Sequence, residues 1–138
     1  MTRSVASDEA ASGPRPRAGF RLPRAARLRK TREIRRTMRE GRRSRGRFVD
    51  VFSAPSLPGR PRVGIIAPRH GRTAVERNRV RRRLTEIARL DLLPALETRR
   101  LDLDLILRAK PAAYEASYRK LHVALLALMD SLEAVCAR

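Results

Sequence analysis

Seven consecutive residues, RNRVRRR (77–83), carry five arginines: Arg77, Arg79, Arg81, Arg82 and Arg83. A guanidinium is a planar fork of donors that binds phosphate oxygens two at a time. Each phosphate it neutralises also releases condensed counterions. Only Glu76 and Glu86 lie close enough in sequence to offset this charge. A solvated cationic face without a partner is the alternative, but like charges at this density repel. The segment therefore points to nucleic acid.

Other residues capable of chemistry are scattered. His70 and His122 are far apart in sequence and read as surface histidines. Asp102 and Asp104 fall on one face of a strand, where a metal site is conceivable and a solvated edge is the simpler account. Cys136, the one cysteine, has no positioned base and forms no internal disulfide framework, which fits a reducing cytoplasm. There is no nucleophile with its base, no metal-ligand cluster and no glycine-rich phosphate loop. The residues present favour binding over catalysis.

The charge is concentrated. The chain of 138 residues has a formal charge of +19, with 30 Arg and 3 Lys. Residues 1–19 net +1, residues 20–83 net +18, and residues 84–138 hold eight basic and eight acidic side chains. Self-repulsion on that scale disfavours a compact state unless a polyanion relieves it. No apolar run approaches the length of a membrane span and no secretory signal pattern is present, so no membrane association is expected. Residues 1–19, rich in Ala, Ser, Pro, Arg and Gly, read as a disordered tail. Residues 20–135 read as a single domain.

The elements that would position the arginines follow from periodicity. Residues 31–40 read as a helix with Thr31 as N-cap, Ile34 and Met38 one turn apart, and Gly41 just beyond its end. Residues 48–53 alternate as a strand, with Val49 and Val51 on one face and Phe48, Asp50 and Phe52 on the other. A Pro/Gly turn leads to a second strand over residues 62–67, with a length suited to an antiparallel hairpin. A helix over residues 74–90 carries the arginine run. Its apolar stripe is Val80, Leu84 and Ile87, with Asn78, Arg82 and Arg89 opposite, Arg79 and Arg81 on the flanks, and Arg77 and Arg83 bordering the stripe. Residues 101–107 alternate as a half-buried strand. A last helix over residues 114–135 presents Tyr118, Leu121, Leu125, Leu128, Leu132 and Val135 for packing onto the sheet. The expected fold class is α+β, a two-layer α/β sandwich ordered α-β-β-α-β-α with room for an extra short strand.

RNA and DNA are not separated by charge. Phe48 and Phe52 are either stacking platforms for unpaired bases, which would favour RNA or single strands, or a smaller second core beneath the first helix. A DNA-binding domain has neither zinc-ligand spacing nor a basic region with long heptads to support it.

The segment RVGIIAPRHGRTAVERNRVRRRLTEIAR (62–89) resembles the signature of the bacterial ribonuclease P protein component, with its RVG strand, short basic loop and A-V-x-R-N-R-x-(K/R)-R helix. Ala74, Val75, Arg77, Asn78, Arg79, Arg81 and Arg82 match in place. LPRAARLRKTREIRRTMREGRR (22–43) resembles the family's opening, and LDLDLILRAKPAAYEASYRKL (101–121) its last strand, turn and helix, so the resemblance spans residues 22–132. It implies a fold like the second domain of a small-subunit ribosomal protein, with a left-handed βαβ crossover where the general rule favours the right-handed form. It also implies the protein subunit of a cytoplasmic ribonucleoprotein that removes the 5′ leader from precursor tRNA, with RNA as catalyst and Mg²⁺ held mainly by RNA and substrate. Arg77, Asn78, Arg79, Arg81 and Arg82 would contact the ribonuclease P RNA, assisted by Arg69 and Arg72. Phe52, Met38, Ile34 and Phe48 would line a cleft for the leader of precursor tRNA. No obligate protein partner is implied. A ribosomal or rRNA-assembly protein is the rival reading.

This chain departs from the family pattern in three places. Ile34 and Met38 stand where phenylalanines are usual. The loop Pro68, Arg69, His70, Gly71, Arg72, Thr73 has its glycine shifted. Arg83 replaces an apolar residue.

Overall fold

Leu105, Ile106 and Leu107 are each fully buried, so the strand that carries them needs cover on both faces and a neighbour along each edge. That strand occupies the middle of the sheet. The structure, a computed structural model, describes residues 22–136, and the expected tail over residues 1–19 lies outside them. The elements are α1 (Thr31–Glu40), β1 (Arg42–Ser44), β2 (Val49–Pro55), β3 (Arg62–Ile66), α2 (Ala74–Ile87), α3 (Leu93–Thr98), β4 (Leu103–Ala109) and α4 (Tyr118–Cys136). One four-stranded sheet has the order β1-β2-β4-β3. The result is the expected α+β class.

The expected β2–β3 hairpin does not form. β4 separates the two strands, antiparallel to β2 and parallel to β3. Turn length permitted the hairpin; the burial demand of β4, invisible to local pattern, decided against it. β4 also overturns the reading of Asp104 as solvated edge, since Asp104 is 0% exposed. Both of its oxygens accept from Arg62 of β3, from Nε and Nη2 at 2.8 Å each.

Alternation along β4 separates two apolar clusters. Leu105 and Leu107 face the larger one with Val49, Val51, Val63, Val80, Leu84, Ile87, Leu121 and Leu125. The stripe of α2 and the inner face of α4 therefore pack on this side, as their periodicity predicts, each buried Leu or Ile contributing about 1.5–3 kcal/mol. Ile106 faces the other way, with Phe52, Leu28, Ile34, Met38 and Ile66. Helix α1 lies on this second face.

Local signals set the helix ends. Thr31 is the first helical residue, and Lys30 occupies the N-cap with no side-chain cap. Gly41 follows α1 because a Cβ there would stand 2.4 Å from the Thr37 carbonyl oxygen and 2.5 Å from that of Ser53. The helix thus runs hard against β2, and β1 begins one residue later. Helix α2 opens with a capping box: Thr73 Oγ accepts from the Glu76 N–H at 3.1 Å and Glu76 Oε1 from the Thr73 N–H at 2.9 Å. Such a cap contributes about 1 kcal/mol. Beyond Ile87 one π turn, Ala88–Leu92, leads into α3. A single helix to residue 90 had been expected. Pro94 masked α3, although proline is well tolerated in the first turn it occupies.

Candidate nucleic-acid interface

On α2 the arginine run divides into outward and anchored side chains. Asn78, Arg79, Arg81 and Arg82 are exposed, while Arg77 and Arg83 are half-buried. Arg77 Nε donates to the Ala67 carbonyl at 3.2 Å, and Arg83 Nη1 to the Ala116 carbonyl at 2.8 Å. The two residues that border the apolar stripe thus tie α2 to the end of β3 and to the link before α4. Arg83 has a structural role that its apolar counterpart in the family pattern could not fill. Arg81 makes only a long contact, 3.5 Å, to the Ile65 carbonyl. Arg89 does not share the outer face: the π turn changes the helical phase, and Arg89 binds the buried Glu86 at 2.7 Å.

The loop before α2 is braced from below. Tyr114 donates its hydroxyl to the Pro68 carbonyl, and His70 packs edge-on against its ring. Burial raises the Tyr114 pKa, opposed by the charges of Arg77, Arg72 and Arg81 close by. Arg72 stacks over Tyr114 at 5.3 Å and pairs with Glu115 at 3.0 Å and Glu76 at 3.5 Å. The Thr73 backbone N–H holds the Glu76 carboxyl below its ordinary range, with Arg72 adding to the effect. Arg72 is thus a brace for the loop and cap, whereas Arg69 is exposed. The structure leaves Asn78, Arg79, Arg81 and Arg82 exposed along the middle of α2, and Arg69 exposed in the loop that precedes it.

The second expected site is rearranged. Ile34, Met38 and Phe52 do converge between α1 and the sheet. However, Phe52 is only 5% exposed, with the Arg43 guanidinium 5.3 Å above its ring. It is the second core, not a stacking platform. Phe48 is not part of this cluster. It precedes β2, packs at the fringe of the larger core and carries Arg47 over its ring at 5.2 Å. The alternation that paired Phe48 with Phe52 fails because Phe48 lies outside the strand.

Open space lies beside this cluster. A groove of about 530 Å³ runs along the outer edge of β3, with Leu28, Arg29 and Ile34 on one side and Arg81 and Thr85 of α2 on the other. Its floor includes Gly64, where a Cβ would meet the Leu28 carbonyl oxygen at 2.8 Å. Leu28 N–H donates to the Val63 carbonyl at 3.0 Å, so the segment before α1 lies directly on β3. Sequence reasoning missed Arg29 and Leu28; the glycine inside a strand was the available signal of close backbone approach.

A buried ion network fixes the helix that forms one wall. Besides Asp104, Arg62 binds both oxygens of Glu33 on α1 at 3.2 Å. Arg36 reaches Asp104 at 3.7 Å. The hydrogen bonds that Arg62 donates to Asp104 raise the Arg62 pKa despite burial, and Glu33 adds to the effect. At the other edge, Asp50 is buried, which pushes its carboxyl up. Arg43 at 2.6 Å, the Gly46 N–H and Lys110 outweigh that and leave it below its ordinary range.

Neither histidine is set up as a base for a common centre: His122 pairs with Asp91 at 2.8 Å and stacks on Tyr118, away from the His70–Tyr114 contact. Among the described residues, no three His, Cys, Asp or Glu side chains group to hold a metal ion. The arrangement can bind phosphates along α2 and accommodate an extended chain in a basic-walled groove.

Comparison with known proteins shows what the chain as a whole is similar to. A family model described as Ribonuclease P matches residues 22–133. The chain is 38% identical over 104 residues to the ribonuclease P protein component of Acidothermus cellulolyticus, covering 72% of this chain and 82% of that protein. It is 39% identical over 113 residues to that of Thermus scotoductus, covering 82% of this chain and 62% of the relative. In fold it is similar to the Staphylococcus aureus RNase P protein (TM-score 0.64, 18% identity, 79% of this chain and 96% of that one). The Thermotoga maritima RNase P protein is also similar (TM-score 0.63, 21% identity, 75% and 94%).

Proposed function

Because the chain belongs to the ribonuclease P protein family, and so is a protein subunit of that endoribonuclease with its RNA as partner, we propose a division of labour between its two RNA-contacting regions. The outer face of α2, through Asn78, Arg79, Arg81 and Arg82 with Arg69 beside them, holds the catalytic RNA. The groove along β3 takes the single-stranded 5′ leader of precursor tRNA, between Arg29 and Ile34 on one wall and Arg81 on the other. Met38 and Phe52 support the Ile34 wall from within.

The observation that carries this reading is the selective exposure on α2. Arg77 and Arg83 are used to anchor the helix, yet Arg79 and Arg82 point outward without a protein partner among the described residues. Phosphate is the group such free guanidiniums fit. The reading leaves Mg²⁺ with the RNA and the substrate. The reading also places the protein in the cytoplasm, and no described helix is long and apolar enough to cross a membrane. No protein partner is required.

The test is RNA binding across a salt series. The purified protein should retain one structured RNA of ribonuclease P type; ribosomal RNA alone would favour the rival reading. Arg79→Gln with Arg82→Gln should weaken binding and reduce the slope of log K against log salt by roughly one per lost phosphate contact. An unchanged slope would remove α2 from the interface.

A further inference from the structure

Most of the excess charge is not on α2. Residues 69–83 hold seven basic residues and one acid, whereas residues 22–47 hold twelve basic residues and two acids, a net of +10. Helix α1 lies at the centre of this second concentration. At 100° per residue, Ile34, Thr37 and Met38 point to the sheet, and Arg32, Arg35 and Arg39 point away within a narrow arc. The burial of Thr37 and the exposure of those three arginines agree with that geometry. Arg32 and Arg35 have no protein partner among the described residues, and Arg39 has only an exposed contact with its neighbour Glu40, of a kind that contributes little.

A solvated helix face is the simplest alternative, but the charge pattern does not favour it. Arg32 and Arg36, and Arg35 and Arg39, are like-charge pairs at i,i+4, which destabilise a helix. A general arginine bias in the chain would load α4 similarly, yet residues 84–138 are neutral overall. The row spans about 10 Å along a convex helix and has no aromatic residue with which to stack bases. A rigid line of guanidiniums without a stacking surface matches a rigid line of phosphates, the backbone of an A-form duplex, which proteins recognise by shape and phosphate contacts.

Helix α1 packs on the Ile106 side of β4, and α2 on the Leu105/Leu107 side. The sheet stands between the two arginine rows. We propose that the outer face of α1, through Arg32, Arg35 and Arg39, is a second RNA-binding surface that takes a double-helical segment distinct from the one on α2, so that the protein bridges two RNA elements. That segment belongs to a second part of the catalytic RNA, the partner that follows from the family the chain belongs to.

The test compares wild-type protein, an Arg32→Gln/Arg35→Gln/Arg39→Gln variant and the α2 variant Arg79→Gln/Arg82→Gln. Glutamine keeps helix propensity, and removal of like charges should leave the α1 variant at least as heat-stable as wild type. The α1 variant should bind the catalytic RNA alone more weakly, with a salt slope lower by roughly two to three. An unchanged slope, with the assembled ribonucleoprotein binding precursor several-fold more weakly for short and long leaders alike, would move the surface to the base-paired body of the precursor and overturn the proposal. A loss confined to long leaders would assign α1 to the single strand and overturn the proposal, as would unchanged binding in every arm. An effect of the α1 variant alone, with none from the α2 variant, would overturn the role of α2 and the bridging with it, and support α1 as the duplex-binding surface.

Discussion

At the residue scale, chemically identical arginines are sorted by what their stems rest on. Arg77 and Arg83 lie beside the apolar stripe and bond to carbonyls; Arg79 and Arg82, exposed on the same helix, have no protein partner among the described residues and are open to phosphate. Arg29, on the groove wall, likewise has no protein partner among the described residues. Arg29→Gln is expected to weaken binding of leader-bearing precursor more than of mature tRNA, measured as a ratio of dissociation constants in the assembled particle. Equal losses would place Arg29 outside the leader path. Phe52 behaves differently because it is core. Phe52→Ala should lower the unfolding free energy by about 3–5 kcal/mol, read from urea midpoints. A variant with wild-type stability would show that the ring is not packed beneath α1.

At the element scale, the groove depends on how α1 is held. Ile34 and Met38 give α1 only a two-residue apolar footing, and the Arg62 guanidinium supplements it by joining β4 to Glu33. Taking one partner from a buried pair leaves an uncompensated charge, a loss of about 3–5 kcal/mol, whereas replacing both by apolar residues can be neutral. Asp104→Leu alone should therefore be severely destabilising, and Arg62→Met with Asp104→Leu should recover most of the loss in thermal melts. If the double variant is no better than the single one, the bonds from Arg62 to Glu33 dominate the network. Either result bears on the groove, because Glu33 and Ile34 are adjacent on α1.

For the whole molecule, the charge of +19 makes stability and binding one problem. The native state is the form that presents two ordered arginine rows, so a polyanion that binds it shifts the folding equilibrium by mass action. Ligand at about 100 times Kd adds roughly 2.7 kcal/mol. The melting temperature should thus rise on adding the partner RNA at low salt, and the increment should shrink as salt weakens binding. An RNA-independent melting temperature would mean that binding does not select the folded form.

Local physics in the sequence was sufficient for much of this. The periods of α1, α2 and β4, the inward stripe of Val80, Leu84 and Ile87, and the outward set around Asn78, Arg79 and Arg82 all follow from side chains repeating at 3.6 or 2 residues. The family was legible in the RVG strand and the helix after it. Other features needed the assembled chain. Whether β2 pairs with β3 or β4 depends on which strand must be covered on both sides, a competition among distant segments. Asp104 reads as solvated until Arg62, 42 residues away, is placed beside it. Phe52 and Phe48 look equivalent until one falls inside β2 and the other before it. Sequence determined what each side chain could do to its own helix or strand; the tertiary structure decided which charges were already engaged and which remained for RNA, because only packing brings the competing partners together.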